Sequence, residues 1–323
     1  MKFLPTDEQQ AFVRSLDAML SAADTPAAAR AWAAGDPAPG RALWSRLAAA
    51  GVFALAVPEA YEGVGPLPVE LALAFVELGR RAVPGPVVET AAAAVLIAEL
   101  GDPVLAKRLL PAIAAGDLLV SLCLPVAGPY ALDADTADCV LVADRHLRIA
   151  SGHGPVRASA DPARRLAVPD DGGEVPATGP RVAAAAARAA DWARLATAAQ
   201  AVGVGLALLE RTVAYAAQRA QFGAPIGSFQ AVKHRLADTL IALEFARPLL
   251  HGAALSMAPA DIAAAKAAAG EAAYTAARAA LQLHGAVGYT EELDLALWLR
   301  KARPLRDAWG TPSQCRAAVL DTA

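Results

Sequence analysis

The chain has 323 residues, of which 56% are hydrophobic, 19% charged and only 5% aromatic, with a formal net charge of −3 and a pI near 6.0. That length suits about two domains, and the near-balanced charge leaves no electrostatic footprint for nucleic acid or an anionic membrane. The three cysteines, Cys123, Cys139 and Cys315, are too scattered for a disulfide framework or a zinc site.

The first segment reads as helix. Thr6 and Gln9 have the spacing of a capping box, and Phe12, Val13, Leu16, Met19 and Leu20 then recur on one helical face. The opening MKFLPTDEQQ reaches polar residues before any long apolar run, so it does not read as a signal peptide, and the cytosol is the expected location. Leu43, Trp44 and Leu47 predict a second helix that stops at Gly51. The short apolar run 53–57 ends at Pro58 and the loop YEGVG; Leu71, Phe75 and Leu78 mark another helix before the break Pro84-Gly85-Pro86. Two further helical stretches, divided at Gly101-Asp102-Pro103, reach Gly116. Residues 1–117 are therefore expected to form an α-helical domain of about five helices.

From 118 to 181 the chain is rich in Pro, Gly and Asp, with β-like runs at 118–124, 139–142 and 147–150. This predicts a small β middle domain, with 162–180 as loop or partly disordered linker. Helix returns at 182. Leu195, Val202, Leu206, Leu209 and Val213 stripe one long helix, and others are expected at about 229–255, 259–283 and 293 to the end, giving a four-helix bundle over 182–323. The apolar stretch 195–209 is too short to span a bilayer and contains Gln200. The fold class is mainly α: an N-terminal helical domain, a reduced β middle region and a C-terminal four-helix bundle.

Three segments, in order, carry a specific resemblance. RTVAYAAQRAQFGAPIGSFQAVKHRLAD (211–238) resembles the acyl-CoA dehydrogenase family in its order R-x-QFG-x-PI-x-x-FQ-x-V-x-H-x-LAD. LQLHGAVGYTEE (281–292) resembles a second motif of that family, and WSRLAAAGVFALAVPEAYEGVG (44–65), continued by ELGRRAVPGPV (77–87), a third, with Glu62 where the family usually has Gly. The resemblance implies FAD as cofactor and an acyl-CoA thioester as substrate. It implies that Arg219, Gln221, Phe222, Gln282, Gly285, Gly288 and Thr311 bind cofactor, most of them as a clamp on the ADP half of a neighbouring subunit's FAD. Arg219 has the planar fork that a pyrophosphate needs; taken alone it reads better as a solvated helix-end charge, and it is the two motifs together that favour the clamp. His234 and His284 read as structural residues.

Desaturation of an acyl-CoA takes a proton from the α-carbon and a hydride from the β-carbon, so the protein needs a base within reach of the α-proton. In the family this is a Glu at one of two places. Before Gly310-Thr311 this chain has Trp309, whose indole nitrogen only donates. In the D-x-x-R pattern Asp191-Trp192-Ala193-Arg194 the base position is Ala193, while Asp191 and Arg194 are implied to bind substrate. Asp307, Glu62, Glu291 and Glu292 are the remaining candidates for a replacement acid; Asp307, two residues before Trp309, is expected to point elsewhere on regular geometry, and Glu292 reads as the family's structural acid. The middle region lacks the family's flavin-contact motifs, and Gly152-His153-Gly154 is too weak to count. The chain resembles the short subunits of actinobacterial steroid-degrading acyl-CoA dehydrogenases, which pair as α2β2 heterotetramers with a longer subunit. The resemblance thus implies a non-base-bearing partner that shares FAD with that longer subunit and passes electrons to an external acceptor. An active homotetramer with an unusual base, and a catalytically silent acyl-CoA-binding scaffold, are the alternatives.

Overall fold

A computed structural model describes residues 4–125 and 127–321. Residues 1–3, 126, 322 and 323 lie outside it, and with them the first residues of the opening segment and the last two of the expected fourth bundle helix. Among the described residues six helices build the N-terminal part: α1 (Asp7–Ser21), α2 (Thr25–Ala33), α3 (Ala38–Ala49), α4 (Pro68–Arg80), α5 (Val87–Leu100) and α6 (Pro103–Ala115). Both halves of the capping box form: Gln9 N–H donates to Thr6 Oγ1 at 3.2 Å, and Thr6 N–H donates to Gln9 Oε1 at 2.9 Å. Asp102 Oδ1 accepts from the N–H groups of Val104 and Leu105, restarting the chain as α6 after Gly101 ends α5 in the left-handed region. The helix missed in the sequence is α2. Its only bulky apolar residue is Trp32, so alanines hide the period, although Asp24 caps it and Pro26 opens it.

Almost every residue of α5 is buried, because it lies between α6, the middle region and the long bundle helix. A helix that is apolar all round has no solvent face to give it an amphipathic signature.

The middle region holds β1 (Val120–Cys123), β2 (Ala131–Leu132), β3 (Cys139–Ala143), β4 (His146–Ala150), β5 (Leu166–Ala167) and β6 (Gly173–Thr178). Four of these form one sheet in the order β1-β3-β4-β6, with β1 parallel to β3 and the other pairs antiparallel; β2 and β5 pair separately. The expectation that 162–180 is loop is corrected, since β5 and β6 fall within it. As an edge strand that faces mostly solvent, β6 has no fully buried residue and so shows no apolar alternation.

The bundle comprises α7 (Pro180–Gln218), α8 (Gln230–Ser256), α9 (Pro259–His284) and α10 (Leu295–Asp307), followed by α11 (Pro312–Leu320). The short pair β7 (Ala220–Gln221) and β8 (Ala224–Pro225) joins α7 to α8. α7 is long and apolar enough to cross a membrane by composition, but 83% of its apolar window is buried inside the protein. It approaches α4 closely. A Cβ on Gly203 would lie 1.9 Å from the Val76 carbonyl oxygen, and one on Gly79 would lie 2.2 Å from that of Gln200. The expected fourth helix is two helices. Trp309 and Gly310 take positive φ values of 60° and 136°, and Thr311 then caps α11 with Pro312 in its first turn. This break turns Trp309 inward.

Candidate functional site: a cavity at Trp309 and an exposed patch at the far end of the bundle

Ala193 is fully buried in α7, so neither of the two base positions carries a carboxylate. The residue after it, Arg194, donates from Nε to the carbonyl oxygen of Trp309 and from Nη1 to Asp191 Oδ1, each at 3.0 Å. Buried Lys266 of α9 donates to the carbonyl oxygens of Arg306 at 2.9 Å and Gly310 at 3.1 Å. Desolvation pulls that ammonium down to about 8. Asp191, Arg194 and Lys266 thus brace the left-handed Trp309 turn from two helices.

Trp309 faces a cavity of about 360 Å³, lined among others by Glu89, Leu122, Leu132, Arg164 and Asp307. Its indole Nε1–H donates to Glu89 Oε1 at 3.2 Å. Glu89 Oε2 is buried without a hydrogen-bond partner, and burial raises this carboxyl above the ordinary range against the opposing pull of Arg164. Arg164 is half-buried and makes no ion pair or side-chain hydrogen bond among the described residues.

The expectation that Asp307 points elsewhere is corrected: it lines the same cavity, because α10 ends there and the turn breaks the regular alternation. Its carboxylate is paired with Arg303 at 3.1 Å and Arg306 at 3.0 Å. The other candidate acids lie elsewhere. Glu62 is an exposed residue with φ 66°, which is the physical reason for the family's Gly there; Glu291 pairs with Arg300, and Glu292 is exposed. Sequence reasoning missed Glu89 and Arg164. The available signal for Glu89 was a single acid near the start of the apolar run VVETAAAAVLI, a place where an unpaired carboxylate is costly.

The expected cofactor residues divide into two groups. Arg219, Gln221 and Phe222 occupy the turn after α7, and Gln282 and Gly285 the end of α9; all five are exposed, Phe222 by 93%. Tyr215 and His284, with ring centroids 4.1 Å apart, stack these two helix ends together. Arg219 makes no ion pair among the described residues, and Gly285, at φ 64°, has open space where a Cβ would stand. A free guanidinium, an exposed ring and an open backbone corner fit a pyrophosphate and an adenosine edge. Gly288 differs: it is buried, and a Cβ there would meet His284 and Leu281 at 3.2 and 3.3 Å, so packing within the chain accounts for it. Thr311 differs too, since its hydroxyl caps α11 beside Trp309. His284 is buried and donates from Nδ1 to the Ala280 carbonyl at 2.8 Å, a structural bond. From Arg194 to Tyr215 is 21 residues of one helix, about 30 Å along its axis at 1.5 Å per residue. The exposed patch at the C-terminal end of α7 and the Trp309 cavity are therefore well separated along that helix.

The comparisons with known proteins agree with this architecture. Residues 6–117 match the model of the acyl-CoA dehydrogenase N-terminal domain, and residues 183–319 that of the C-terminal domain. Acyl-CoA dehydrogenase IpdE2 of Mycobacterium tuberculosis strain H37Rv is 34% identical over 301 residues, 92% of each chain. Among solved structures, the Tcur3481–Tcur3483 steroid ACAD G363A variant superposes with a TM-score of 0.84 at 25% identity, over 98% of this chain and 97% of that one. The ChsE4–ChsE5 complex from Mycobacterium tuberculosis superposes at 0.86 with 23% identity, over 99% and 98%, a likeness of fold. Both helical parts and the full-length relative lead to one assignment: the chain belongs to the acyl-CoA dehydrogenase family of oxidoreductases.

Proposed function

We propose that this chain is the non-base-bearing subunit of an FAD-dependent acyl-CoA dehydrogenase, paired with a longer, unlike subunit in an α2β2 heterotetramer. The observation that carries the reading is Trp309: a donor-only indole stands at the family's base position, and the other position is a buried alanine. The exposed Arg219 patch, some 30 Å along α7 from that turn, faces outward and suits a cofactor held mainly by another chain. Arg219, Gln221, Phe222, Gln282 and Gly285 would hold the ADP half of that FAD. When bound, FAD supplies the hydride acceptor for α,β-desaturation of an acyl-CoA thioester. The chain's likeness to the ChsE4–ChsE5 complex supports a heteromer, and its likeness to the Tcur3481–Tcur3483 steroid ACAD supports a steroid-derived CoA ester as substrate. Reoxidation falls to an external electron-transfer acceptor.

The test is co-expression with a longer dehydrogenase subunit and measurement of flavin per chain. One FAD per unlike pair is expected, and Arg219→Ala is expected to lower that ratio while the helical circular dichroism stays unchanged. One FAD per chain, or an unaltered ratio in the variant, overturns the reading. The second reading, an active homotetramer with an unusual base, draws on Asp307 lining the Trp309 cavity; loss of activity in Asp307→Asn at normal flavin content would favour it.

A further inference from the structure

A second cavity, of about 520 Å³, runs between α1 and α8 with α4 and α7 as its floor, and none of its residues lines the Trp309 cavity. Its apolar lining comes from four helices: Val13 of α1, Leu73 and Val76 of α4, Val202 and Leu206 of α7, and Leu250 of α8. Val13, Leu73, Val76 and Leu206 are only half-buried, so each still has hydrocarbon to cover. The floor is closed, because Gly203 lets α7 press against the Val76 carbonyl.

Into this apolar wall α4 sets one acid, Glu77, which is 8% exposed. Among the described residues neither of its oxygens accepts a hydrogen bond; Oε2 is wholly buried, 3.5 Å from Arg80 Nε but without hydrogen-bond geometry. The 10% of the side chain that remains exposed therefore lies on Oε1 and the methylene groups, at the wall of the cavity. Burial raises this carboxyl above its ordinary range against the pull of Arg80, as expected of an acid short of donors. A donor brought to Oε1 would make a charge-assisted bond in a place that water reaches poorly.

The surrounding charges select the donor. Arg14, Arg80 and Arg247 line the same cavity, and Glu244 is already paired with Arg247 at 2.8 Å. A cationic head would meet those guanidinium groups, and an anionic head would meet Glu77. A neutral hydroxyl donates to the carboxylate and opposes neither.

We propose that the groove between α1 and α8 binds an uncharged apolar alcohol, its hydroxyl donating to Glu77 Oε1 and its hydrocarbon body lying against Leu73, Val76, Val202 and Leu206. The volume falls within the range of ligand pockets, about 300 to 1,000 Å³. The site contains none of the residues assigned to flavin or to the base positions, so it goes beyond the subunit role proposed above.

The experiment is isothermal titration of the purified full-length chain with decahydro-2-naphthol, whose fused rings have no chain rotamers to freeze, and with the matching ketone, 2-decalone. The two differ in the donor alone. The buffer is held at about pH 8 to keep the carboxyl ionised. Saturable binding of the alcohol with a Kd below about 1 mM is expected, and binding of the ketone at least about tenfold weaker. Glu77→Leu should bring the two ligands to equal affinity, whereas Glu77→Gln, which keeps an amide oxygen as acceptor, should retain the preference for the alcohol. Leu206→Trp, which fills the groove, should abolish binding of both. No saturable binding of the alcohol, or equal affinity for alcohol and ketone in the unaltered chain, overturns the proposal with no variant needed. A preference for the alcohol that survives Glu77→Leu overturns it as well. None of these outcomes depends on flavin content, which tests the subunit role separately.

Discussion

Asp161 and Lys301 join the middle region to α10 through a pair that is 2.8 Å apart, with side chains only 2% and 7% exposed. Asp161 Oδ1 also accepts from the Ala163 N–H at 3.0 Å, so the carboxylate is fixed by its own turn as well. In Asp161→Asn the turn bond survives but the Lys301 ammonium keeps its charge in a dry site without a counter-ion. Removing one partner of a buried pair costs about 3–5 kcal/mol, most of it the stranded charge. An unfolding entropy of about 2.1 cal/mol/K per residue, taken over 323 residues, gives about 0.7 kcal/mol/K. The melting temperature should therefore fall by roughly 4–7 °C. Thermal melts followed by circular dichroism at low and high salt are the assay. Added salt should not close the gap, because a buried pair is poorly screened. The double variant Asp161→Leu with Lys301→Met should recover most of the loss, since two apolar groups strand no charge. A loss below about 1 kcal/mol in the single variant, the level of a surface pair, or a double variant no better than the single, would refute the reasoning.

Asp133 is buried, with φ 54° and one carboxylate oxygen unpartnered, and desolvation raises it from 3.8 to about 7. The fold favours its acid form, so its contribution to stability is complete below pH 3.8 and is lost as pH rises through about 7, by at most about 4 kcal/mol. Asp133→Asn tolerates the same backbone and keeps an oxygen for the Arg165 N–H; its urea stability relative to wild type should improve between about pH 5 and about pH 8, and a pH-independent difference would contradict this. Gly203→Ala places a methyl 1.9 Å from the Val76 carbonyl oxygen, so α4 and α7 must part. A loss of at least about 2 kcal/mol in urea unfolding is expected, and wild-type stability in this variant would show that the two helices can separate freely.

Local chemistry determined much of this protein before any fold was considered. The Thr6–Gln9 box, the breaks at Gly51 and Gly101-Asp102-Pro103, and the long helices of the bundle depend on residues three or four apart, and all are visible in a short window. The motifs at 44–87, 211–238 and 281–292 likewise carried the family, and the identities of Trp309 and Ala193 need no structure to be read. Where a local signal was weak, the reading failed locally: α2 is hidden by alanine, and β6 by its exposed edge. The cavity is another matter. Glu89 and Trp309 are 220 residues apart, and Arg164 and Asp307 come from two further elements. No period or cap relates them, and only the packing of α5 against α7, with the left-handed turn at Trp309, brings a buried carboxyl to the place where the sequence shows an indole. Side-chain type is a property of the sequence, but what a side chain faces is set by which distant elements share its core. For that reason a chain whose base positions read as empty of acids still folds a carboxyl against one of them.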